Sequence, residues 1–367
     1  MIFVGCVVMK WKTSVIILIT LFNSGFVSAQ PLNTNDFSFI TGSCAYLDVT
    51  KEDSSGIYYN GDTSIYYQMS ITPADFMLWL GDNWYLDEKD WITAEGLQRK
   101  AKEVRGARVM QRLINRDMPE YAIWDDHDFG PNQSNKDYHL KRENRQVFMD
   151  TWTDNPSFGE HDEGVYTSFK YNDVLFILLD DRWWRDRDDL WAYKWIKPNR
   201  NKRMFGEQQM KWLKKTLLEE SRSSFKIIVN GSPVVSPWSE TDGLIHYPYE
   251  YKELMRFIRN EKIEGVLFIS GDKHYSEINK VDRKDNYPLY DITVSPLTSS
   301  PGKAKGTERL NKYRVDGSLI ETYNFAQISV SGSSEDRRLT VQYYDQKRRP
   351  LFKWTVNKKD LEKKRGL

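Results

Sequence analysis

Three acids and a histidine occupy four consecutive positions, Asp125-Asp126-His127-Asp128. Carboxylates this close repel, and each raises its neighbours' pKa unless a multivalent cation neutralises them. The density predicts metal or catalytic use; a solvated acidic turn that caps a helix is the competing account. A Gly-Asp pair recurs at Gly81-Asp82, with Tyr85 three residues on, and at Gly271-Asp272, followed by His274. Glycine lets the backbone turn closely around whatever the acid holds, although each pair alone is also an ordinary turn. Carboxylate and imidazole suit hard or borderline divalent cations. Of the five histidines only His127 and His274 lie in such clusters; His139, His161 and His246 sit in polar or aromatic segments and read as surface residues. The chain has no Gly-x-Ser-x-Gly elbow, no Walker-type loop and no Cys-x-x-Cys. What remains is hydrolysis in which metal ions lower the pKa of water and neutralise charge on a phosphoryl group.

These residues need elements to bring them together. Apolar, β-rich runs predict strands at Phe37 to Thr41, Phe76 to Leu80, Tyr121 to Trp124, Val174 to Leu179, Phe225 to Asn230 and Val266 to Ser270. Amphipathic patterns between them predict helices at Glu95 to Ile114, Glu207 to Glu220 and Tyr249 to Asn260. The alternation indicates an α/β fold with crossover helices. Gly42-Ser43-Cys44, Gly81-Asp82-Asn83, Asp125-Asp126-His127, Asp180-Asp181-Arg182 and Gly271-Asp272-Lys273-His274 each follow one of those strands. The carboxyl ends of strands in open α/β sheets border the ligand crevice, so the clusters are expected to converge. Past Leu297, Phe325 to Val330, Leu339 to Tyr344 and Leu351 to Val356 read as antiparallel strands, and the Lys358 to Arg365 charge run as a solvated end.

At the amino terminus, Lys10 and Lys12 precede an apolar run from Val15 to Phe22 and then Val27-Ser28-Ala29. This predicts a signal peptide over residues 1–29, with Met1 or Met9 as the start, followed by a single domain over 30–367. The apolar run is shorter than the roughly 20 residues needed to span a bilayer, so no membrane span is expected in the mature protein. Its expected location is periplasmic or secreted. With 53 basic and 52 acidic residues the chain has no field to attract nucleic acid. Of two cysteines, Cys6 leaves with the leader, and Cys44 remains as a lone thiol in an oxidising compartment, which calls for burial, pairing between chains or a metal.

Taken together, Gly42-Ser43-Cys44, Leu80-Gly81-Asp82-Asn83-Trp84-Tyr85, Trp124-Asp125-Asp126-His127-Asp128 with Asn132, Leu179-Asp180-Asp181-Arg182 and Ser270-Gly271-Asp272-Lys273-His274 resemble, in that order, the alkaline phosphatase D (PhoD-like) family of metallophosphoesterases. The resemblance implies an αββα sandwich of mixed sheets flanked by helices. It implies iron (Fe3+) held by Cys44, Asp82 and Tyr85, and calcium (Ca2+) or another divalent ion near Asp82, Asn132 and Asp272. His274 stands at a metal-site histidine, Asp126 at a ligand or a group bonded to one, and His127 where the leaving oxygen is assisted. Thiolate and phenolate suit a ferric ion, and the oxygen-rich neighbours suit calcium. Arg182 has the planar fork of a phosphate clamp, with an ion pair to Asp180 or Asp181 as the competing account. The family's longer members carry a β-rich amino-terminal domain ahead of these motifs. Asn230-Gly231-Ser232-Pro233 stands where other superfamily members have a histidine ligand and contains none.

The expected function is hydrolysis of small-molecule or lipid phosphate esters, mono- or diesters, outside the cytoplasm. The rival is an exported calcium-binding protein, aromatic-rich and glycan-recognising, which would make no use of Cys44. Trp79, Trp84, Trp91, Trp124, Trp183 and Trp184 lie beside the motifs as candidate walls of a crevice or as core.

Overall fold

The computed structural model describes residues 35–49, 63–156, 163–240 and 242–363. The expected leader and His161 lie outside them. The strands are β1 (Phe37–Gly42), β2 (Phe76–Leu80), β3 (Glu120–Ile123), β4 (Thr167–Tyr171), β5 (Val174–Leu178), the two-residue β6 (Tyr193–Lys194) and β7 (Lys197–Pro198), β8 (Phe225–Asn230), β9 (Val266–Ser270), β10 (Glu277–Val281), β11 (Leu289–Thr293), β12 (Phe325–Ser331), β13 (Arg338–Tyr344) and β14 (Pro350–Asn357). One mixed sheet runs β14-β13-β12-β1-β2-β3 and a second β10-β11-β9-β8-β5-β4. In the first, β1, β2 and β3 are parallel; in the second, β5, β8, β9 and β11 are parallel.

Strict alternation shapes the first sheet. Phe76, Leu78 and Leu80 of β2 enter the core between the sheets, while Met77 and Trp79 enter a second core with Leu97, Ala101 and Val104 of helix Ala94–Gly106. Between the sheets Phe39 stacks on Phe76 at 4.9 Å, and Phe176 of β5 meets both rings edge-on at 5.4 Å. Helices Gly206–Glu219 and Pro248–Asn260 add Met210, Leu213, Leu254 and Ile258 to this cluster. Pro248 opens the second of them, where its missing N–H leaves no bond unmade. The layers are helix, sheet, sheet, helix.

Two expectations are corrected. The helix expected over 95–114 is two, Ala94–Gly106 and Arg108–Ile114, because Ala107 is extended (φ −59°, ψ 136°). The break frees the Arg105 carbonyl, which accepts a bond of 2.7 Å from Gln111 Nε2. The charge run at the carboxyl end is not all frayed: Leu361 is fully buried in the core and its carbonyl accepts the Gly265 N–H at 3.0 Å.

Candidate metal centre

The parallel strands of both sheets deliver their carboxyl ends to one place. Beyond β1 the Cys44 N–H donates to the Gly81 carbonyl (3.4 Å), and the Ala45 N–H to that of Asp82 (2.8 Å). Beyond β9 the Gly271 N–H donates to the Gly231 carbonyl at the end of β8 (2.8 Å). A Cβ on Gly81 would stand 2.7 Å from that of Asp125, and one on Gly271 would stand 2.6 Å from that of Ser43, so glycine is what lets these loops touch. Cys44, Asp82, Asp272 and His274 all adopt left-handed backbone, with φ between 51° and 66°. In non-glycine residues that conformation costs on the order of 1–3 kcal/mol each and gathers where function demands it.

Asp82 is the hub. Its Oδ2 lies 3.6 Å from Cys44 Sγ and accepts from the Tyr85 hydroxyl at 3.2 Å, while its Oδ1 accepts the His127 N–H at 3.2 Å. Ligand atoms of Cys44, Asp82 and His274 lie within 4.8 Å of one another, as do those of Asp82, Asp126 and His127. Two donor groups thus share one carboxylate. Tyr85 adds a phenol 3.4 Å from His274 Nε2, and its ring stacks on His127 at 4.1 Å. The Ser300 carbonyl, 2.8 Å from His274 Nδ1, can only accept, so Nδ1 carries the proton and the Nε2 lone pair faces the cluster. Ser295 Oγ, 3.2 Å from the sulfur, donates to Cys44, whereas Ser43 Oγ, 3.6 Å from it, gives its proton to the Val294 carbonyl at 2.8 Å.

Without a cation these groups oppose one another. Burial, then the Asp82 charge, pushes the Cys44 thiol up; burial, then the charges of Asp126, Asp128 and Asp272, pushes Asp82 up. Burial and then Asp82 raise Tyr85, and burial and then Asp242 raise Asp272 to about 7. Burial lowers His127. Asp126 ends below the usual carboxylate range: burial opposes ionisation, but Arg182, His127 and the Gln133 N–H, at 2.7 Å, outweigh it. A buried to half-buried set of thiol, phenol, imidazole and mutually repelling carboxylates is what multivalent cations would stabilise, so the donors fit metal ions.

The acid-rich motifs divide their labour. Asp126 faces the donor group, whereas Asp128 accepts the backbone N–H groups of Asn83 (2.7 Å) and Asp125 (2.9 Å), tying the loop after β2 to the one after β3. Capping is therefore part of the Asp125–Asp128 density, as the competing account held. Asp180 binds Trp124 Nε1 (2.8 Å) and the N–H groups of Val165, Arg182 and Trp183, each at 2.9 Å. Asp181 holds the Ser232 N–H and hydroxyl at 3.0 Å. Both acids after β5 brace loops.

Arg182 departs from the expected phosphate clamp. Its side chain is 0% exposed; the guanidinium binds Asp125 and, at 3.0 Å, Asp242, with Asp181 at 3.6 Å, so no edge is free for a phosphate. Asn132 is exposed in the loop after helix Asp126–Phe129, one residue before the Gln133 N–H that binds Asp126, and Asp272, half-buried, reaches Cys44 and Asp82 through its charge. His139 is exposed and His246 half-buried. Trp79, Trp84, Trp124 and Trp183 are buried in the second core, leaving Trp91 and Trp184 partly exposed. At Gly231 a Cβ would stand 2.8 Å from Asp125 Cγ and 2.9 Å from Asp181 Oδ2, so the loop after β8 packs directly against both acids. Sequence reasoning missed Ser295 and Asp242, which carry no motif and act through loops distant in the chain.

A helix-flanked pair of mixed sheets with metal-type donors at the parallel strand ends defines a metallophosphoesterase-type fold. The sequence profile of the PhoD-like phosphatases matches residues 43–362, and the chain belongs to that family. It is 22% identical over 284 residues to alkaline phosphatase D of Bacillus subtilis (strain 168), a match covering 68% of this chain and 47% of that protein. The chain thus spans about half the length of this relative. Among solved structures it superposes on PhoD with a TM-score of 0.65 at 15% identity, covering 87% of this chain and 72% of the other. It also superposes on a purple acid phosphatase from yellow lupin (Lupinus luteus) seeds with a TM-score of 0.61 at 12% identity, covering 90% and 55%. At such identities the superpositions speak for the fold.

Proposed function

We propose that the protein is an exported metal-dependent phosphoesterase acting on small-molecule or lipid phosphate monoesters, diesters or both, with iron and calcium as resident ions. The observation that carries this reading is Asp82 shared between two donor groups, one with sulfur and phenol beside it and the other with Asp126 and His127. Cys44, Asp82, Tyr85 and His274 would hold the iron; Asp82, Asp126, Asn132 and Asp272 would hold calcium or another divalent ion. Such ions lower the pKa of water and neutralise phosphoryl charge.

The chain's own groups do the rest. Ser295 donates to the sulfur and favours its thiolate. Ser300 fixes the tautomer of His274. Hydrolysis joins a water oxygen to phosphorus as the ester oxygen departs with a proton, and His127 is the proposed donor of that proton. Its half-buried imidazole, beside the shared carboxylate and stacked on Tyr85, supports the role. Export rests on the leader-like residues 1–29 and accords with a lone thiol that is fully buried.

The test is release of p-nitrophenol from its phosphate mono- and diester by purified, metal-loaded protein, with and without chelator. Chelator-sensitive turnover of either ester is expected. No turnover of either by folded, metal-loaded protein would overturn the reading in favour of the calcium-binding rival.

A further inference from the structure

Between the end of β5 and helix Gly206–Glu219, β6 and β7 project as a two-residue-turn hairpin whose tip is apolar and bare. Trp195 and Ile196 are 98% and 90% exposed, and Trp191 and Tyr193 beside them 81% and 45%. Exposed aromatics scattered singly mean little, but four large apolar side chains within six residues form a patch.

The hairpin is also braced. Tyr193 pairs with Pro198 and Lys194 with Lys197. Buried Asn199 closes its base, its N–H donating to the Ala192 carbonyl and its side-chain amide to that of Trp191, both at 2.9 Å. The Asp186 N–H reaches the Arg203 carbonyl at 2.7 Å, and Lys202 Nζ reaches the Asp188 carbonyl at 2.8 Å. Trp195 itself has φ 59°, in a turn position that glycine or asparagine normally fills. A tryptophan is thus held outward on a rigid strut against its own backbone preference.

The surrounding charge selects a partner. Residues 190–203 contain five Lys or Arg and no acid; Lys202 is buried, and the exposed Asp188 and Asp189 lie at the base, away from the tip. Lys194 and Lys197 are exposed directly beneath the tip, and Arg200 is exposed at the base. A convex tip of this size offers little of the roughly 800 Å² per partner that a stable protein interface buries. It needs no complementary pocket in a bilayer, where tryptophan and tyrosine settle at headgroup level and lysines meet anionic phosphates. Among the described residues no helix is long and apolar enough to cross a membrane.

We infer that the Tyr193–Pro198 hairpin docks the protein onto an anionic lipid surface, with Trp195 and Ile196 entering the headgroup layer and Lys194 and Lys197 meeting lipid phosphates. The inference is independent of the esterase reading. The test is co-sedimentation of the full chain with vesicles of phosphatidylglycerol and phosphatidylcholine against phosphatidylcholine alone at low salt. Each basic residue near an anionic surface contributes about fivefold to binding. W195S/I196S and K194E/K197E should therefore each lower partitioning onto the anionic vesicles by about tenfold or more, and raised salt should act likewise. Hydrolysis of a soluble p-nitrophenyl ester, which these residues do not touch, should stay unchanged in both variants, so loss of docking and loss of the esterase reading are separable. Equal partitioning of wild type and both variants would overturn the inference. So would equal binding to neutral vesicles, or a concentration-dependent dimer that W195S/I196S abolishes while the wild type ignores vesicles.

Discussion

Replacing Asp242 by Asn tests whether the ion network behind the metal centre supports the fold. Asp242 is buried between two arginines, Oδ2 lying 3.0 Å from Arg182 Nη2 and Oδ1 2.6 Å from Arg185 Nη2, and it also accepts the Gly243 N–H at 2.8 Å. Asparagine keeps the shape and removes the charge. Breaking a buried pair costs about 3–5 kcal/mol, because the partner charge stays buried. Arg182 would retain Asp125 and Arg185 would retain Asp188, so the low end, about 3 kcal/mol, is expected. At an unfolding entropy of roughly 2 cal/mol/K per residue, a body of this size loses roughly 4 °C of midpoint. Thermal unfolding of both proteins should be followed from neutral pH into acid. The two arginines hold the Asp242 carboxyl below its ordinary range although burial opposes this, so its charge stabilises the fold above the unfolded pKa and the contribution is lost as pH falls through the folded one. The gap between wild type and variant should therefore persist from pH 7 down to about 4 and close only in stronger acid. A shift below 1 °C at pH 7, or a gap that widens in acid, would refute the reasoning.

Two further substitutions probe the centre and the frame. Cys44→Ser should lower bound iron and ester turnover by about tenfold or more, read by metal analysis beside the p-nitrophenyl ester assay; unchanged iron with unchanged turnover would remove the thiol from the centre. Glu250, fully buried with Oε2 accepting the Met204 and Phe205 N–H groups at 2.6 and 2.9 Å, is pushed up to about 7 by burial. A raised carboxyl stabilises the fold below its unfolded pKa and loses that contribution as pH rises through the folded one, here about 3 kcal/mol between roughly pH 4.5 and 7. Glu250→Gln should flatten the unfolding midpoint across that window, and an unaltered slope would count against it.

How much of this could be read from the sequence depended on burial. β2, β8 and β9 lie where the apolar runs put them, since strands buried on both faces carry a strong hydrophobic signal, in β8 interrupted only by Lys226 before its closing Asn230. Half-buried β4 shows no such run, and neither do β10 and β11, whose buried faces include Glu277, Asn279 and Asp291. Residue type and strand-end position singled out Cys44, Asp82, Asp126, His127 and His274, which the fold brings together. Position alone could not separate Asp126 from Asp125, which differ by which way one turn of helix aims them. Arg182 looked like a surface clamp because its partner Asp242 lies sixty positions away, and Ser295 reaches Cys44 across 251. Such pairings exist only after folding.

The four left-handed residues Cys44, Asp82, Asp272 and His274 have a consequence for engineering. A redesign scored on backbone ease alone would set glycine or asparagine at 44, 82, 272 and 274 as at any other left-handed position, relaxing the loops and deleting their donor side chains in the same stroke. Thermostabilised variants of this chain would then gain melting temperature while losing the ligand set, and those four backbone angles mark the positions to hold fixed.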